Sequence, residues 1–227
     1  MRVGIEETQS EKIAAINMSR QIVFYMAAFA TLLGILYLLG LAGKLIMDGT
    51  VHSTSSQAVQ SLSATVAILW DLSLLVLFVA LRRQSLGSKA IFAELALIFM
   101  ALVCAISSIN WFVQLLIVSR ITRVGESVLL ALLDVHNGLS LMYAMEHLAW
   151  GVFYGFAAIF AAIAIGIGRL ESWIRWLFIA GGVLSLLHII GMITATSVVS
   201  DLGYVAWGIL LPITTALLAI RFKVKQK

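Results

Sequence analysis

Long apolar runs alternate with short polar links along almost the whole chain. A helix needs about 20 apolar residues to cross a hydrocarbon core roughly 30 Å thick. Six runs are long enough, and they lie near residues 22–47, 59–81, 90–118, 139–168, 173–195 and 202–220. The pattern predicts an all-α, polytopic bundle of six transmembrane helices that forms a single membrane domain over residues 1–227.

The basic residues of the links predict how the spans are oriented. Twelve Lys and Arg residues lie in the N-terminal segment, in the links after the second and fourth spans and in the C-terminal tail, against three in the other links. Lys and Arg are retained on the cytoplasmic side of a membrane. Both termini are therefore predicted to be cytoplasmic, which agrees with an even number of spans.

Two polar segments beside the spans are predicted to be helical. Residues 1–21 form a cytoplasmic juxtamembrane segment in which Thr8 and Glu11 have the spacing of a capping box. Residues 119–138 form an external interfacial segment, because Val124, Val128 and Leu132 recur at helical spacing among polar residues. We expect both segments to anchor the adjoining spans at the membrane surface.

Composition excludes several classes of protein. Hydrophobic residues make up 62% of the chain, charged residues 11%, and the mean hydropathy is +1.05. A water-soluble domain could not cover so much apolar surface with polar residues. The net charge of +4 comes from bases spread between apolar runs rather than clustered with aromatic residues, so no nucleic-acid partner is expected. The expected partner is the lipid bilayer, and the expected location is the cell membrane.

Asp71 is the most unusual polar residue within a span. It lies eleven residues before Arg82, about 16 Å along a helix and therefore near the middle of the bilayer. An aspartate at that depth costs on the order of 2.5 to 3.5 kcal/mol on insertion scales. We therefore expect Asp71 to face protein or water and to have a function.

Other polar residues lie at similar depths. His188 is thirteen residues after Arg175, and Asn110 and Gln114 form a polar stripe on the third span. Together with Asp71, these residues are predicted to form one polar cluster in the outer half of the bundle. Glu146 and His147 are secondary candidates near the outer boundary, and Glu94 near the inner boundary is expected to be ion-paired or to snorkel.

Small residues and one proline indicate how the helices pack. Gly151 and Gly155 continue the stripe of His147, which predicts packing against another helix, within the chain or in a homo-oligomer. Pro212 should kink the sixth span by crowding the carbonyl of Gly208, so it is a hinge candidate, although we favour a static kink. Thr214 or Thr215 could bond the freed backbone groups.

A tryptophan-centred piece recurs in the three spans predicted to run inward. It reads AILWDL around Trp70, LAWGVF around Trp150 and VAWGIL around Trp207. Three related helical hairpins would explain the likeness. Tryptophan is also enriched where a membrane meets water, and we interpret the three residues as part of such an outer belt.

Motifs of common enzymes are missing from the sequence. It contains no His-Glu-x-x-His pair, no Gly-x-Ser-x-Gly elbow, no phosphate-binding glycine loop and no Cys-x-x-Cys. No lysine lies at mid-span to form a Schiff base. An enzyme is therefore the less favoured interpretation, and no cofactor or metal is expected.

Three functional hypotheses remain. The first is that the outer-half cluster binds or moves a small polar ligand, an ion or a proton, as in a transporter. The second is a structural or accessory subunit in which the same residues only join helices. The third is an intramembrane metal or haem enzyme that uses His147 and His188, with Asp71 and Glu146 as further ligands of a metal. The chain resembles the small six-span membrane proteins common in bacteria and archaea, which implies a prokaryotic plasma membrane, and no motif assigns a family.

Overall fold

The fold is a bundle of helices, seen in a computed structural model that describes residues 20–40 and 57–224. Six of the described helices are long and apolar enough to cross a membrane. They are α1 (Arg20–Gly40), α2 (Gln57–Gln84), α3 (Lys89–Thr122), α5 (Leu141–Ala164), α6 (Arg169–Ile193) and α7 (Ser197–Lys223). A short helix, α4 (Ser127–Leu133), follows α3. The predicted all-α fold with six spans is confirmed, while the orientation of the termini stays a prediction.

Several boundaries differ from the predicted ones. Helical structure continues after α3 through Val124 and ends at Gly125, whose φ of 75° is the left-handed conformation that glycine adopts most easily. The first part of the predicted interfacial segment therefore belongs to the third span, and α4 is the only helix in the rest of that segment. The capping box of Thr8 and Glu11, the predicted end of the first span and the last three residues lie outside the described part of the chain.

Neighbouring helices pack through small residues. Helix α3 packs against α2 and α5, α5 packs against α6, and α6 packs against α7. A Cβ atom at Gly182 of α6 would lie 2.7 Å from the backbone oxygen of Gly155 in α5, so the two backbones are in direct contact there. The stripe of small residues that begins at His147 thus packs against α6 of the same chain. An oligomer formed through such stripes stays a prediction.

Three of the described spans contain a π-helical turn. These turns are Gln114–Val118 in α3, Leu148–Phe153 in α5 and Val205–Leu210 in α7. The last two are the LAWGVF and VAWGIL segments of the sequence. A π turn changes the backbone bonding of a helix locally and is frequent at functional sites. Here, the indole nitrogen of Trp207 donates a hydrogen bond to the backbone oxygen of Trp150 at 2.9 Å, which ties one π turn to the other.

The three tryptophans of the recurring piece lie inside the bundle. Trp70, Trp150 and Trp207 are only 3%, 5% and 6% exposed. The ring centres of Trp70 and Trp150 are 5.5 Å apart, and those of Trp150 and Trp207 are 6.1 Å apart. The interpretation of these residues as a lipid-facing belt is therefore wrong. They form a cluster of tilted rings that joins α2, α5 and α7.

Pro212 lies just after the π turn of α7 and against α1. A Cβ atom at Gly34 would lie 2.7 Å from Cγ of Pro212, so only glycine fits at this contact. Thr214 donates its hydroxyl to the backbone oxygen of Leu210 at 2.7 Å, and Thr215 donates to that of Pro212 at 3.0 Å. Both threonines bond the backbone as expected, but at carbonyls other than that of Gly208. A hinge at Pro212 stays a prediction.

Charged residues at the predicted inner end are paired within the chain. Arg82 contacts Glu94 at 3.3 Å, as expected for an ion-paired boundary residue, and Arg221 contacts Glu171 at 3.2 Å. The ammonium group of Lys89 donates to the backbone oxygen of Ile165 at 3.0 Å, at the end of α5. Both described glutamates at this end therefore have an arginine partner.

Candidate functional site

A cavity of about 330 Å³ lies in the predicted outer half of the bundle. Its walls come from the end of α1, the first half of α2, the beginnings of α5 and α7, one residue of α3 and the link after α4. Asp71, Glu146 and His147 are among the residues that line it. Three of the six polar candidates from the sequence therefore border one space.

Glu146 receives hydrogen bonds from one face of α3. Its carboxylate accepts from Nδ2 of Asn110 at 2.7 Å, from Nε1 of Trp111 at 3.1 Å and from Oγ of Ser107 at 3.3 Å. Residues three and four positions apart share a helix face, which is why these three donors converge on one group. All three donors are neutral. Glu146 is half-buried, and this secondary candidate is a central member of the site.

Asp71 is bonded by the residue of α3 next to the one that bonds Glu146. Its side chain is fully buried, and Oδ2 accepts a hydrogen bond from Oγ of Ser108 at 3.2 Å. The thiol of Cys104 donates to the backbone oxygen of Asp71 at 3.0 Å. Among the described residues, no group bonds Oδ1 of Asp71 or Nε1 of Trp70. Buried polar atoms are nearly always hydrogen-bonded, so these two atoms, on adjacent residues that line the cavity, are exceptions that need an explanation.

Two consecutive serines of α3 connect the acids. Ser107 bonds Glu146 of α5, while Ser108 bonds Asp71 of α2. Adjacent side chains of a helix point about 100° apart, so neighbouring positions reach different helices. Trp150 donates its indole N–H to Oγ of Ser107 at 3.2 Å, which holds that hydroxyl in place.

Asn110 and Gln114 hold neighbouring parts of the site in place. Besides Glu146, Asn110 donates to the backbone oxygen of Met142 at 3.1 Å. The amide of Gln114 donates to the backbone oxygen of Leu133 at 2.7 Å and accepts from the backbone N–H of Val135 at 3.2 Å. Asn110 thus positions Glu146, and Gln114 fixes the link after α4, which contributes Val135 and His136 to the wall.

His188 pairs with His147 rather than with Asp71. Its Nε2 lies 2.8 Å from Nδ1 of His147, and its Nδ1 bonds the backbone oxygen of Ser200. The ring of His188 also packs on Trp207, with ring centres 4.9 Å apart. The one polar cluster expected from depth is therefore divided into a network of acids around α3 and a histidine pair between α5 and α6.

Aromatic rings are the part of the site that the sequence interpretation missed. Four of the six tryptophans of the chain and three of its five tyrosines line the cavity. They are Trp70, Trp111, Trp150, Trp207, Tyr37, Tyr143 and Tyr204. The available signal was that Trp111, Trp150 and Trp207 fall in the outer halves of their predicted spans and Trp70 near mid-span, although an outer-half position is equally typical of a lipid-facing belt.

The cavity wall is acidic in the described part of the chain. Neither Lys nor Arg occurs among the described lining residues. His136 lines the cavity, and its Nδ1 lies 3.1 Å from a carboxylate oxygen of Asp134, which does not line it. The described residues also contain no group of three His, Cys, Asp or Glu side chains that could hold a metal ion. The site thus combines two carboxylates with neutral donors and aromatic rings.

The six apolar helices define the chain as a polytopic α-helical protein of the multi-pass membrane class. Comparisons with known proteins add no name to this class: no family model, no curated protein and no solved structure matches the chain.

Proposed function

We propose that this protein binds a small, positively charged ligand in the outer-half cavity. The observation that carries the proposal is the pair of carboxylates, Asp71 and Glu146, on a cavity wall whose described residues include neither Lys nor Arg. A charge removed from water is normally paired, and an acid inside a membrane is a functional group by default. A cation in the cavity supplies the charge that the described residues do not.

The two acids have different parts in this proposal. Glu146 is half-buried, so it is the carboxylate that a ligand can contact, and its three donors from α3 hold it in one orientation. Asp71 is fully buried beside the cavity and acts on the ligand through its charge, which is poorly screened by an apolar surrounding. The neutral donors leave the wall with a net attraction for cations.

A purely structural role fits the same residues less well. Polar groups that only join helices find partners on those helices. Oδ1 of Asp71 has no partner in the described part of the chain, and Asp71 is among the residues that line a space of about 330 Å³. The histidine pair, by contrast, is closely packed and bonded, and it fits a role in joining α5 to α6.

The test is cation binding to the full chain in lipid nanodiscs. Sodium, potassium, methylammonium, guanidinium and tetramethylammonium chlorides are titrated while tryptophan emission is recorded. We expect a saturable change with at least one of these cations, weakened about tenfold or more by Asp71→Asn and by Glu146→Gln, as for the loss of a buried charge partner. Glu94→Gln is the matched control, because Glu94 lies at the inner end in an exposed pair.

Two results would overturn the proposal. One is the absence of a saturable response to every cation of the series. The other is an unchanged response in both variants, once circular dichroism and size-exclusion chromatography have established that they are folded. If Glu146→Gln does not fold, Asp71→Asn alone decides, since its carboxylate accepts a single side-chain hydrogen bond.

A further inference from the structure

Resting on the proposed function, we infer that the ligand is an organic ammonium ion with alkyl substituents, bound among aromatic rings, rather than an inorganic cation. The first support is the lining. Four tryptophans and three tyrosines surround a space that two carboxylates border. Tryptophan is the aromatic side chain that attracts cations most strongly, and cages of aromatic rings are the usual means of binding alkylated ammonium groups.

Five of these seven rings form one continuous assembly, so this part of the lining is held in place. Tyr37 packs on Trp70 with ring centres 5.5 Å apart, and Trp70 packs on Trp150 at the same distance. Trp207 continues the series from Trp150, and Tyr204 packs on Trp207 at 6.0 Å. Rings from α1, α2, α5 and α7 thus support one another. A rigid aromatic lining binds a ligand with little loss of side-chain freedom.

Size and donor chemistry both disfavour an inorganic ion. A volume of about 330 Å³ is at the lower end of the range for small-molecule pockets, roughly 300–1,000 Å³. Hard cations require several oxygen ligands in a close shell. Here the oxygens of Glu146 already accept three hydrogen bonds, and most of the remaining wall is apolar or aromatic. An alkylated ammonium ion needs charge compensation and apolar contact, which this wall offers.

Free ammonium ions and lipid headgroups share this chemistry. Phosphatidylcholine carries a trimethylammonium group, and the cavity extends from Asp71 to Gly40 and Val59, near the predicted outer ends of α1 and α2, where headgroups are found. The common element is the alkylated ammonium group, and the experiment distinguishes its two sources.

The experiment compares matched ligands on the full chain in phosphatidylglycerol nanodiscs. The probes are tetramethylammonium, tetraethylammonium, choline, potassium and 3,3-dimethylbutan-1-ol, which has the shape of choline without its charge. We expect tetramethylammonium to bind at least tenfold more tightly than potassium, and choline at least tenfold more tightly than its neutral analogue. Both differences should be lost in Asp71→Asn.

An aromatic variant tests the rings separately from the acids. Trp70→Phe removes no hydrogen bond, because Nε1 of Trp70 has no partner in the described part of the chain. We expect it to weaken tetramethylammonium binding about three- to tenfold, since phenylalanine is a weaker partner for cations than tryptophan. Trp173→Phe is the control, because Trp173 is 63% exposed at the inner end of α6. Its effect on binding should lie within error.

The outcomes separate this inference from the proposed function. If potassium or sodium binds as tightly as the alkylated ions and depends on Asp71, the organic ligand is refuted while the cation site stands. If no cation binds, or if the neutral analogue binds as well as choline, both fail. In nanodiscs that contain phosphatidylcholine, a weaker apparent affinity for tetramethylammonium identifies the headgroup as the source, and an equal affinity identifies a free ion. Either result supports the inferred class.

Discussion

At the predicted inner end of the bundle, Glu94 and Glu171 each contact an arginine, whereas in the outer half Asp71 and Glu146 accept hydrogen bonds from neutral side chains. The tryptophans differ in the same way. Trp173 and Trp176 near the inner end are each 63% exposed, while Trp70, Trp150 and Trp207 are buried around a cavity. At the predicted inner end each described glutamate thus has an arginine partner, whereas the outer half has carboxyl groups and rings arranged around a space.

This difference is informative because both regions are built from the same few helices. The spans α2, α5 and α7 each contribute to both, so the contrast does not come from separate domains. Ion pairs at a membrane boundary anchor a span, whereas unpaired acids and π turns within the bundle are expensive and are typical of function. The following changes test whether the two regions differ in this sense.

The largest effect is expected from the α5–α6 contact that lies between the two regions along the spans. Gly182→Leu would push a side chain into the backbone of Gly155, because a Cβ atom at Gly182 already lies 2.7 Å from that oxygen. We expect the free energy of unfolding to fall by more than about 3 kcal/mol, the upper range for overpacking. The measurement is the yield of monodisperse protein and its unfolding in a denaturing detergent.

Gly166→Leu is the matched control, because an added Cβ atom at Gly166 would meet no neighbour within 4 Å. It should unfold like the unaltered protein. If Gly182→Leu were equally stable, the close approach of α5 and α6 would be refuted, and with it the basis for the arrangement of both regions.

A smaller loss is expected from the inner end. Glu171→Gln leaves Arg221 without its charge partner where the side chains are only 12% and 14% exposed. We expect a loss of about 2 kcal/mol, less than for a fully buried pair. Glu94→Gln breaks an exposed pair and should cost less than about 0.5 kcal/mol. Equal effects of the two variants in thermal unfolding would show that burial does not strengthen the pair at Glu171.

The smallest effect, of opposite sign, is expected from the outer half. Asp71→Asn replaces a buried carboxyl group that has no Lys or Arg partner among the described residues, so the free energy of unfolding should stay unchanged or rise by up to about 1 kcal/mol, as is usual when a functional group is removed. Thermal unfolding of the ligand-free protein measures this change in the free energy of unfolding. A loss above 1 kcal/mol would instead favour the structural interpretation, in which Asp71 joins α2 to α3.

The predicted features that were confirmed depend on single helices. Six spans follow from the length and hydropathy of each apolar run, and the pairing of Glu94 follows from its place at a span end among basic residues. The depth of Asp71 along its helix likewise predicted that its side chain faces protein or water rather than lipid, and the side chain is fully buried. None of these inferences required knowledge of which helices are neighbours.

The predictions that failed depended on which helices are neighbours and which faces they turn to one another. Asp71 and His188 lie at similar depths, yet the first faces α3 and the second faces α5, because depth says nothing about direction around the helix axis. The interpretation of the tryptophans as a lipid-facing belt failed for the same reason, because a lipid-facing residue and a buried residue can lie at the same depth in the membrane. The π turns of α5 and α7 carry no recognised sequence signal beyond the repeated piece itself.

The sequence by itself determined that this chain forms six apolar helices and that a few polar groups lie among them, because the cost of burying a residue in lipid is set by its own chemistry and depth. Only the tertiary structure decided which groups contact one another. It pairs Glu146 with Asn110 and Trp111, and His188 with His147. It also places the clustered tryptophans around the cavity that Asp71 lines. Hydrogen bonds and ring contacts act over a few ångströms and in particular directions. They therefore depend on the order and rotation of neighbouring helices.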